Sequence, residues 1–397
     1  MKKIGFVCSW YGDNIPGGAE TELRGIVKHL NAKGIALEVL TTCIKQFDSD
    51  WNENFYPEGE SLVDGIIVKR FAVRKRNVKK FDAINQKLMN KISITTEEEK
   101  VFIEEMANSP SLYSYIKIHS EEYSSFVYIP YMFGTTYFGI CACPDKAVVI
   151  PCFHEESYIH MHIFKEVFEM AKGFIYLSKP EYQLANSIFE FSPSVKQLIL
   201  GAGVDTGYNS DAERFKRKFG INAPFILYAG RKDSGKNINL LISYFAMFKK
   251  LNPLNPLKLV LIGGGKVELP INIVNDVIDL GFVDIQDKHD ANAASLVVCQ
   301  PSIHESFSIV IMEGWLAKRP VLVHEECAVT KNFVCETNGG LYFKTYYEFQ
   351  ECVLYLMNHN IEATIMGNNG RKYVLSHFSW NVITDKLIKY FAEMEDE

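Results

Sequence analysis

The chain has 397 residues, of which 47% are hydrophobic and 23% charged, and its formal net charge is −6. This length exceeds what one hydrophobic core usually supports, so two domains are expected. The composition argues against intrinsic disorder, and the negative net charge argues against nucleic acid as a partner.

The cysteines and the apolar stretches bear on the cellular compartment. The nine cysteines show no CxxC pair, and four of them lie in or beside apolar runs: Cys8, Cys43, Cys299 and Cys327. Reduced, buried thiols fit this pattern better than a disulfide framework or a zinc site. The apolar stretches are shorter than the ~18–20 residues of a membrane span, and the N-terminus lacks a cleavage site typical of signal peptides. A cytoplasmic protein is therefore expected.

Short β-branched or aromatic runs alternate with helical patterns in the first half, as parallel α/β architecture requires. A helix is predicted at Ala19–Lys33, with Gly34 as its stop signal. Strands are predicted at Lys3–Ser9, Leu37–Thr42, Ile66–Val73, Phe126–Pro130, Ala147–Pro151, Gly173–Leu177 and Val195–Leu200. The first domain is placed at residues 1–203.

The stretch from about 74 to 122 is polar and helical in pattern, and is predicted to be an insertion in the first domain. It begins with a basic run, Arg74–Arg76, followed by Lys79 and Lys80. Such a run is either a peripheral contact with the inner face of a membrane or an ordinary solvated face.

Residues 201–207 contain three glycines after a strand and are predicted to be an interdomain hinge. A second α/β series follows in residues 204–379, and residues 380–397 form a last helix. Strands are predicted at Pro224–Ala229, Leu257–Ile262, Val277–Phe282, Leu296–Gln300 and Pro320–Val323. Helices are predicted at Asn237–Lys250, Lys288–Ala294, Ser308–Ala317, Asn360–His377 and Trp380–Met394, with helical pattern from Tyr346 onward.

Two motifs of the first half follow predicted strands, where open α/β sheets bind ligands. Gly17 and Gly18 precede the first helix, so this turn is either an anion site at a helix N-terminus or a plain tight turn. His154 follows the strand at Ala147–Pro151 and is either a substrate contact or a structural histidine. Its spacing to His160 and His162 does not favour a metal site.

In the second half, the loop Gly230–Asn237 (GRKDSGKN) follows a predicted buried strand. The fork of Arg231 and the point charge of Lys236 suit phosphate oxygens. The spacing is that of a P-loop, but Asn237 replaces the hydroxyl that would bind Mg²⁺. The alternative to an anion site is a pair of solvated cations.

Two carboxylates, Glu305 and Glu313, stand eight positions apart, one in a loop and one in the following helix. The start of that helix can hold a diphosphate, while a carboxylate accepts hydrogen bonds from vicinal hydroxyls. Glu313 lies among apolar residues, where an unpaired carboxylate is costly, so polar partners are expected for it. A capping glutamate and a solvated one are the alternative.

In their order along nearly the whole chain, these motifs resemble the retaining glycosyltransferases of the GT-B fold known as family four. The resemblance is strongest as a set in the second half, where Gly263–Gly265 and the segment PSIHESFSIVIME from Pro301 to Glu313 also match. It implies two Rossmann-like domains facing across a donor cleft, with the helix after Phe378-Ser379-Trp380 returning to the first domain.

The resemblance also implies roles for particular residues. Arg231 and Lys236 would hold the donor diphosphate, Glu313 the ribose, and Glu305 would lie near the donor sugar, with His154 beside the reacting carbon. The donor would also meet a set of glycines and backbone amides: Gly17, Gly18, Gly264, Ser306, Phe307, Ser308 and Ile309. The implied reaction is transfer from a UDP- or GDP-sugar to a glycan or lipid-linked acceptor with retained configuration, without a metal or other cofactor.

Glu155 stands where family members commonly have Asp, and Ser306 and Ser308 stand where many have Gly. These departures leave the donor sugar unassigned. Three other functions stay open: a sugar-nucleotide epimerase, a phosphorylase, and a non-catalytic glycosyltransferase-like subunit. A phosphorylase would need a Schiff-base lysine, and the pattern singles out no lysine for that role.

Overall fold

A computed structural model describes residues 2–395 of the chain. The strands are β1 Lys3–Val7, β2 Leu37–Thr42, β3 Gly59–Val63, β4 Ile66–Phe71, β5 Tyr123–Tyr128, β6 Ala147–Val149, β7 Gly173–Tyr176, β8 Lys196–Ile199, β9 Phe225–Ala229, β10 Lys258–Ile262, β11 Val277–Asp279, β12 Val297–Gln300, β13 Val321–His324 and β14 Gly340–Phe343. The helices are α1 Gly18–Ala32, α2 Val78–Met89, α3 Thr96–Glu104, α4 Pro110–Ile118, α5 Gly134–Ala142, α6 His162–Glu169, α7 Lys179–Ile188, α8 Ala212–Phe219, α9 Ile238–Leu251, α10 Ile285–Ala294, α11 Ile309–Leu316, α12 Ala328–Thr337, α13 Tyr346–Asn358, α14 Asn360–His377 and α15 Trp380–Glu395.

The chain divides into two compact units. Residues up to Gly203 and those from Ile383 onward form the first, and Val204–Val382 form the second. The first sheet has the strand order β3-β4-β2-β1-β5-β6-β7-β8, and the second has the order β11-β10-β9-β12-β13-β14. Among the strands of residues 2–395, every pairing is parallel except that of β3 with β4. The predicted fold class, α/β with two Rossmann-like units, is confirmed.

The central strands are buried along their whole length because helices cover both faces of a parallel sheet. All five residues of β9 are buried, as are all six of β2. The four cysteines predicted to be buried are so, which agrees with their apolar surroundings. None of the helices within residues 2–395 is long and apolar enough to cross a membrane.

The structure differs from the sequence-based elements at a few positions. Strand β3 was not predicted because four of its five residues are exposed and it lacks apolar alternation. Strand β14, in which only Phe343 is buried, and helices α5, α6, α7, α8 and α12 were not predicted either. Helix α10 begins at Ile285, three residues before the predicted Lys288. Helices α9 and α11 each begin one residue later than predicted, because Asn237 and Ser308 adopt positive φ angles of 56° and 81°.

The segment predicted to be a helical insertion contains α2, α3 and α4, and its basic run makes internal contacts. The Arg74 guanidinium pairs with Glu105 at 3.3 Å, and Lys75 Nζ donates to the Asn52 carbonyl at 2.8 Å. The Arg76 guanidinium lies over the rings of Trp51 and Phe81, at 4.7 and 4.4 Å from their centroids. These contacts favour a structural role for the run over a membrane patch.

The last residue of the first unit's main segment, Gly203, is bonded to a buried carboxylate. Its N–H donates to Glu22 Oε1 at 3.3 Å, and Glu22 is only 2% exposed. The second oxygen of this carboxylate, Oε2, is buried with no hydrogen-bond partner among the described residues. Burial therefore raises the pKa of Glu22 to about 8, although the Gly203 N–H acts in the opposite direction.

Glu22→Gln is expected to stabilise the protein more as the pH rises. A folded-state pKa of about 8 against an unfolded value of 4.5 means that the folded state holds a proton that the unfolded state has lost. The contribution of Glu22 to the free energy of unfolding then falls from pH 4.5 to pH 8. The variant should gain on the order of 3 kcal/mol over wild type at pH 8, with no gain below pH 4.5.

Melting curves or urea denaturation of the Glu22→Gln variant and wild type between pH 5 and 9 measure this difference. Glu97→Gln serves as the control because the Glu97 side chain is 82% exposed. A gain that is the same at every pH would show that Glu22 does not titrate in this window.

Candidate active site

Three loops meet at the carboxyl edge of the second sheet because their strands are neighbours. Strand β9 lies between β10 and β12. The loops after these strands contain Gly230–Asn237, Gly263–Gly265 and Pro301–Ser308 respectively. Ligands of open α/β sheets bind at such an edge. The fold therefore brings three of the predicted motifs into one region.

The first two loops are held together by Lys232 and by glycine geometry. Lys232 N donates to the Gly264 carbonyl at 2.8 Å, and its Nζ contacts the Gly263 carbonyl at 2.7 Å and Asp279 at 2.5 Å. Gly263 has a φ of 120°, and a Cβ there would lie 2.1 Å from the Gly230 carbonyl oxygen. Lys232, which the sequence did not single out, therefore has a structural role in joining the two loops. The Arg231 side chain, in contrast, is mostly exposed to solvent.

The predicted phosphate-binding cations already have carboxylate partners. Lys236 Nζ lies 2.7 Å from Glu305 Oε1, and this oxygen also accepts from Gln300 Nε2 at 3.1 Å. Arg231 Nε lies 3.4 Å from Asp233 Oδ2, and the Arg231 side chain is 72% exposed. The structure thus brings Lys236 and Glu305 together from different loops. An anion that binds here would compete with Asp233 and Glu305 for the two cations.

Helix α11 begins directly after a strained residue. Ser308 precedes its first turn with a φ of 81°, and Ser308 Oγ is buried with no partner among the described residues. Phe307 is buried between the rings of Phe333 and Phe378, at centroid distances of 5.4 and 4.9 Å. This packing fixes the approach to the helix, so the N–H groups of its first turn are held in place at the sheet edge.

Glu313 lies inside α11 and is 6% exposed. The polar partner expected for it is Lys288 of α10, whose Nζ lies 2.5 Å from Glu313 Oε1. Glu313 Oε2 is buried without a partner among the described residues. The sequence indicated that Glu313 needs a partner. It did not identify Lys288, because the pattern of one helix does not show which residue of another helix it contacts.

The glycine pair of the first unit lies at the start of α1. Gly17 has a φ of 140°, and a Cβ there would lie 1.8 Å from Glu20 Oε2. The Glu20 carboxylate also accepts from Trp10 Nε1 at 2.7 Å. An anion approaching Gly17 would be repelled by this negative charge. Of the two alternatives for Gly17, an anion site and a plain tight turn, the structure therefore favours the tight turn. At Gly18, in contrast, an added Cβ would have no other atom within 4 Å.

His154 lies in the loop after β6 and is oriented by a glutamate. Its Nε2 is 3.2 Å from Glu156 Oε2, and Glu156 Oε1 accepts from the Tyr131 hydroxyl at 2.6 Å. His160 pairs instead with Glu155 at 2.6 Å. In the described part of the chain, no group of three His, Cys, Asp or Glu side chains could hold a metal ion.

The loop that carries His154 is anchored by Glu181, another residue that the sequence did not indicate. Glu181 is 1% exposed, and its two oxygens accept from the Phe153 N–H at 2.7 Å and the Leu177 N–H at 2.5 Å. Burial raises the pKa of Glu181 to about 8, although these backbone hydrogen bonds act in the opposite direction. The carboxylate ties the loop after β6 to the turn after β7.

Comparison with known sequences places a family match on the second unit. Residues 209–373 match the family described as Glycosyl transferases group 1. An uncharacterised glycosyltransferase of Methanocaldococcus jannaschii is 28% identical over 187 residues. That alignment covers 45% of this chain and 47% of the relative, so the chain matches about half the length of this curated protein.

Solved structures with the same fold align over almost the whole chain. A sucrose-phosphate synthase from Thermosynechococcus elongatus superposes with a TM-score of 0.71 at 15% identity, covering 99% of each chain. HepE from Anabaena, solved in complex with UDP, has a TM-score of 0.69 at 15% identity and covers 99% of this chain and 100% of its own. WaaG, a glycosyltransferase involved in lipopolysaccharide biosynthesis, has a TM-score of 0.63 at 14% identity and covers 96% and 98%.

Proposed function

We propose that this chain, whose residues 209–373 form a glycosyl transferases group 1 domain within a GT-B fold, is a glycosyltransferase. It transfers a sugar from a nucleoside-diphosphate sugar to a glycan or lipid-linked acceptor, with retained anomeric configuration and without a divalent metal. The observation that carries the proposal is the set of Arg231, Lys236 and Glu305 in neighbouring loops of the second sheet, with Glu313 in the helix that follows the Glu305 loop.

The two cations account for the charge that develops in such a transfer. When the bond between the anomeric carbon and the phosphate oxygen breaks, negative charge collects on the departing diphosphate. Arg231 and Lys236 would stabilise this charge, as fixed cations can do in place of a metal ion. In the structure, Lys236 Nζ lies 2.7 Å from Glu305 Oε1, and the diphosphate would replace Glu305 as the partner of Lys236. Glu305, once released, can accept hydrogen bonds from the donor sugar.

The remaining residues are assigned to recognition of the donor. Glu313 would accept hydrogen bonds from the ribose hydroxyls, and the backbone amides of Phe307–Ile309, with Ser306 and Gly264, would contact sugar or phosphate. We assign to His154 a hydrogen bond to the donor sugar and to Gly18 an approach to the phosphates. In a front-face attack, the acceptor hydroxyl bonds to the anomeric carbon on the side the phosphate leaves and its proton passes to the departing phosphate oxygen.

UDP-sugars are the first donors to test, with GDP-sugars next. The support for UDP comes from HepE, which was solved with UDP and with UDP-glucose. A role in cell-surface glycan synthesis is supported by WaaG, which is involved in lipopolysaccharide biosynthesis. Each of these proteins is no more than 16% identical to this chain over its length, so both points belong to the proposal.

A thermal-shift panel of UDP, GDP, ADP, dTDP and CMP tests the donor class. We expect one nucleoside diphosphate to raise the melting temperature, because a ligand that binds only the folded state stabilises it. The shift should be the same in EDTA and in Mg²⁺, since Arg231 and Lys236 replace the metal. A shift that needs Mg²⁺ would contradict metal independence, and no shift with any nucleotide would favour the non-catalytic subunit.

Transfer is then assayed with the sugar nucleotides of the base that binds, in EDTA and with glycan and lipid-linked acceptors. The anomeric configuration of the product, read by NMR, tests retention. Conversion of the sugar nucleotide without any acceptor would instead indicate an epimerase.

A further inference from the structure

The carboxylate of Glu313 has two oxygens in different environments. Oε1 lies 2.5 Å from Lys288 Nζ, whereas Oε2 is buried and has no partner among the described residues. A buried carboxylate with one empty acceptor is costly unless something donates to it. The charge of the group is offset by Lys288, but its hydrogen-bonding capacity is only half used. The free oxygen therefore indicates a donor that arrives from outside the chain.

Lys288 is held in place by the packing of α10. The opposite side of this helix is bonded to α8 through Lys218 and Asp287, whose charged atoms are 2.7 Å apart, and through Arg214 and Asp290. The Lys288 carbonyl accepts from Asn292 Nδ2 at 3.0 Å. Because α10 is fixed on α8, the Lys288 ammonium is presented to α11 from a rigid support.

Lys288 is the ion-pair partner of Glu313. The next residue, His289, is 5% exposed and stacks on Tyr208 with a centroid distance of 3.9 Å. Burial lowers the pKa of His289, although the Glu313 carboxylate acts in the opposite direction, so burial disfavours a second positive charge beside Glu313. The ion pair with Lys288 occupies Oε1 of Glu313.

We propose that Lys288 is a positioning residue for the recognition of ribose, a role that rests on the proposed function. By holding Oε1, Lys288 fixes the plane of the Glu313 carboxylate and leaves Oε2 for the vicinal hydroxyls of the nucleoside. A ribonucleotide fills the empty acceptor with a hydroxyl donor. A 2′-deoxyribonucleotide offers one hydroxyl fewer and leaves the carboxylate less satisfied. Lys288 is thereby a determinant of selectivity for ribonucleoside donors.

The test compares UDP, GDP and ADP with their 2′-deoxy analogues by calorimetric titration against wild type and Lys288→Met. Wild type should prefer the ribonucleotide of the base that it binds. The variant should lose about 10-fold in affinity for this ribonucleotide and clearly less for the 2′-deoxy analogue, because the analogue has only its 3′-hydroxyl to donate to the oriented carboxylate. Lys288→Arg should restore part of the preference.

Lys258→Met is the matched control. Lys258 pairs with Asp276 at 2.6 Å and its side chain is 28% exposed, against 25% for Lys288, but it lies at the amino end of β10, away from the loops. Melting curves of both variants check that they fold. The control should keep the wild-type ribose preference.

The possible outcomes separate the two proposals. If Lys288→Met loses affinity equally for the ribonucleotide and its 2′-deoxy analogue, or loses affinity for neither, the role of Lys288 is overturned while the transferase function stands. Wild-type binding without any ribose preference would overturn the inference alone. Failure of wild type to bind any of the three ribonucleotides would overturn the proposed function together with the inference.

Discussion

Lys236→Ala is expected to lower kcat/KM at least about 100-fold, because in the proposed function it removes the fixed cation that stabilises the departing diphosphate. In the structure this cation is 26% exposed and bonded to Glu305, so it lies in a partly desolvated region where charge counts for more than in water. Steady-state kinetics with the sugar nucleotide of the base identified by thermal shift measure the loss. Lys236→Arg, which keeps the charge, should retain more activity than alanine.

The loss must be separated from a folding defect, since the alanine variant leaves the Glu305 carboxylate without its ion-pair partner. Melting curves address this directly. Lys216→Ala is a matched control because Lys216 pairs with Glu213 at 2.8 Å and is 34% exposed, but lies on α8. Glu313→Ala should lower kcat/KM by a factor similar to that of Lys236→Ala. Near-normal kinetics in either variant would mean that the donor binds elsewhere.

Gly263→Ala is expected to lower the free energy of unfolding of the second unit by at least about 3 kcal/mol. Two effects combine at this position. A φ of 120° is a backbone conformation that L-residues rarely adopt, and the added Cβ would lie 2.1 Å from the Gly230 carbonyl oxygen. That contact is with backbone, so no side-chain rotation relieves it. Moving either loop would also break the bonds of Lys232 to Gly263 and Gly264.

Urea denaturation followed by tryptophan fluorescence and circular dichroism measures this change. Gly220→Ala separates the two effects, because Gly220 has a φ of 68° and no atom lies within 4 Å of a built Cβ. It should cost only about 1 kcal/mol, which is the conformational term alone. Equal losses in the two variants would show that the clash at Gly263 is absorbed by the loops.

Much of the fold followed from local pattern. The α/β alternation predicted most strands of both sheets, because buried parallel strands are continuous apolar runs and their helices carry an apolar stripe. Strand β3 was missed because it is an exposed edge strand, paired antiparallel to β4 and without apolar alternation. Its place in the sheet depends on the pairing with β4 and not on its own composition.

The candidate site divides in the same way. The sequence by itself predicted which loops would carry the chemistry, since glycines, cations and carboxylates follow buried strands, and it indicated that Glu313 needs a polar partner. Only the tertiary structure decided the pairings. Lys236 meets Glu305 across 69 residues and Lys288 meets Glu313 across 25. Periodicity and spacing describe neighbours along one element, whereas these contacts depend on strand order and helix packing, which bring distant segments to one edge of a sheet.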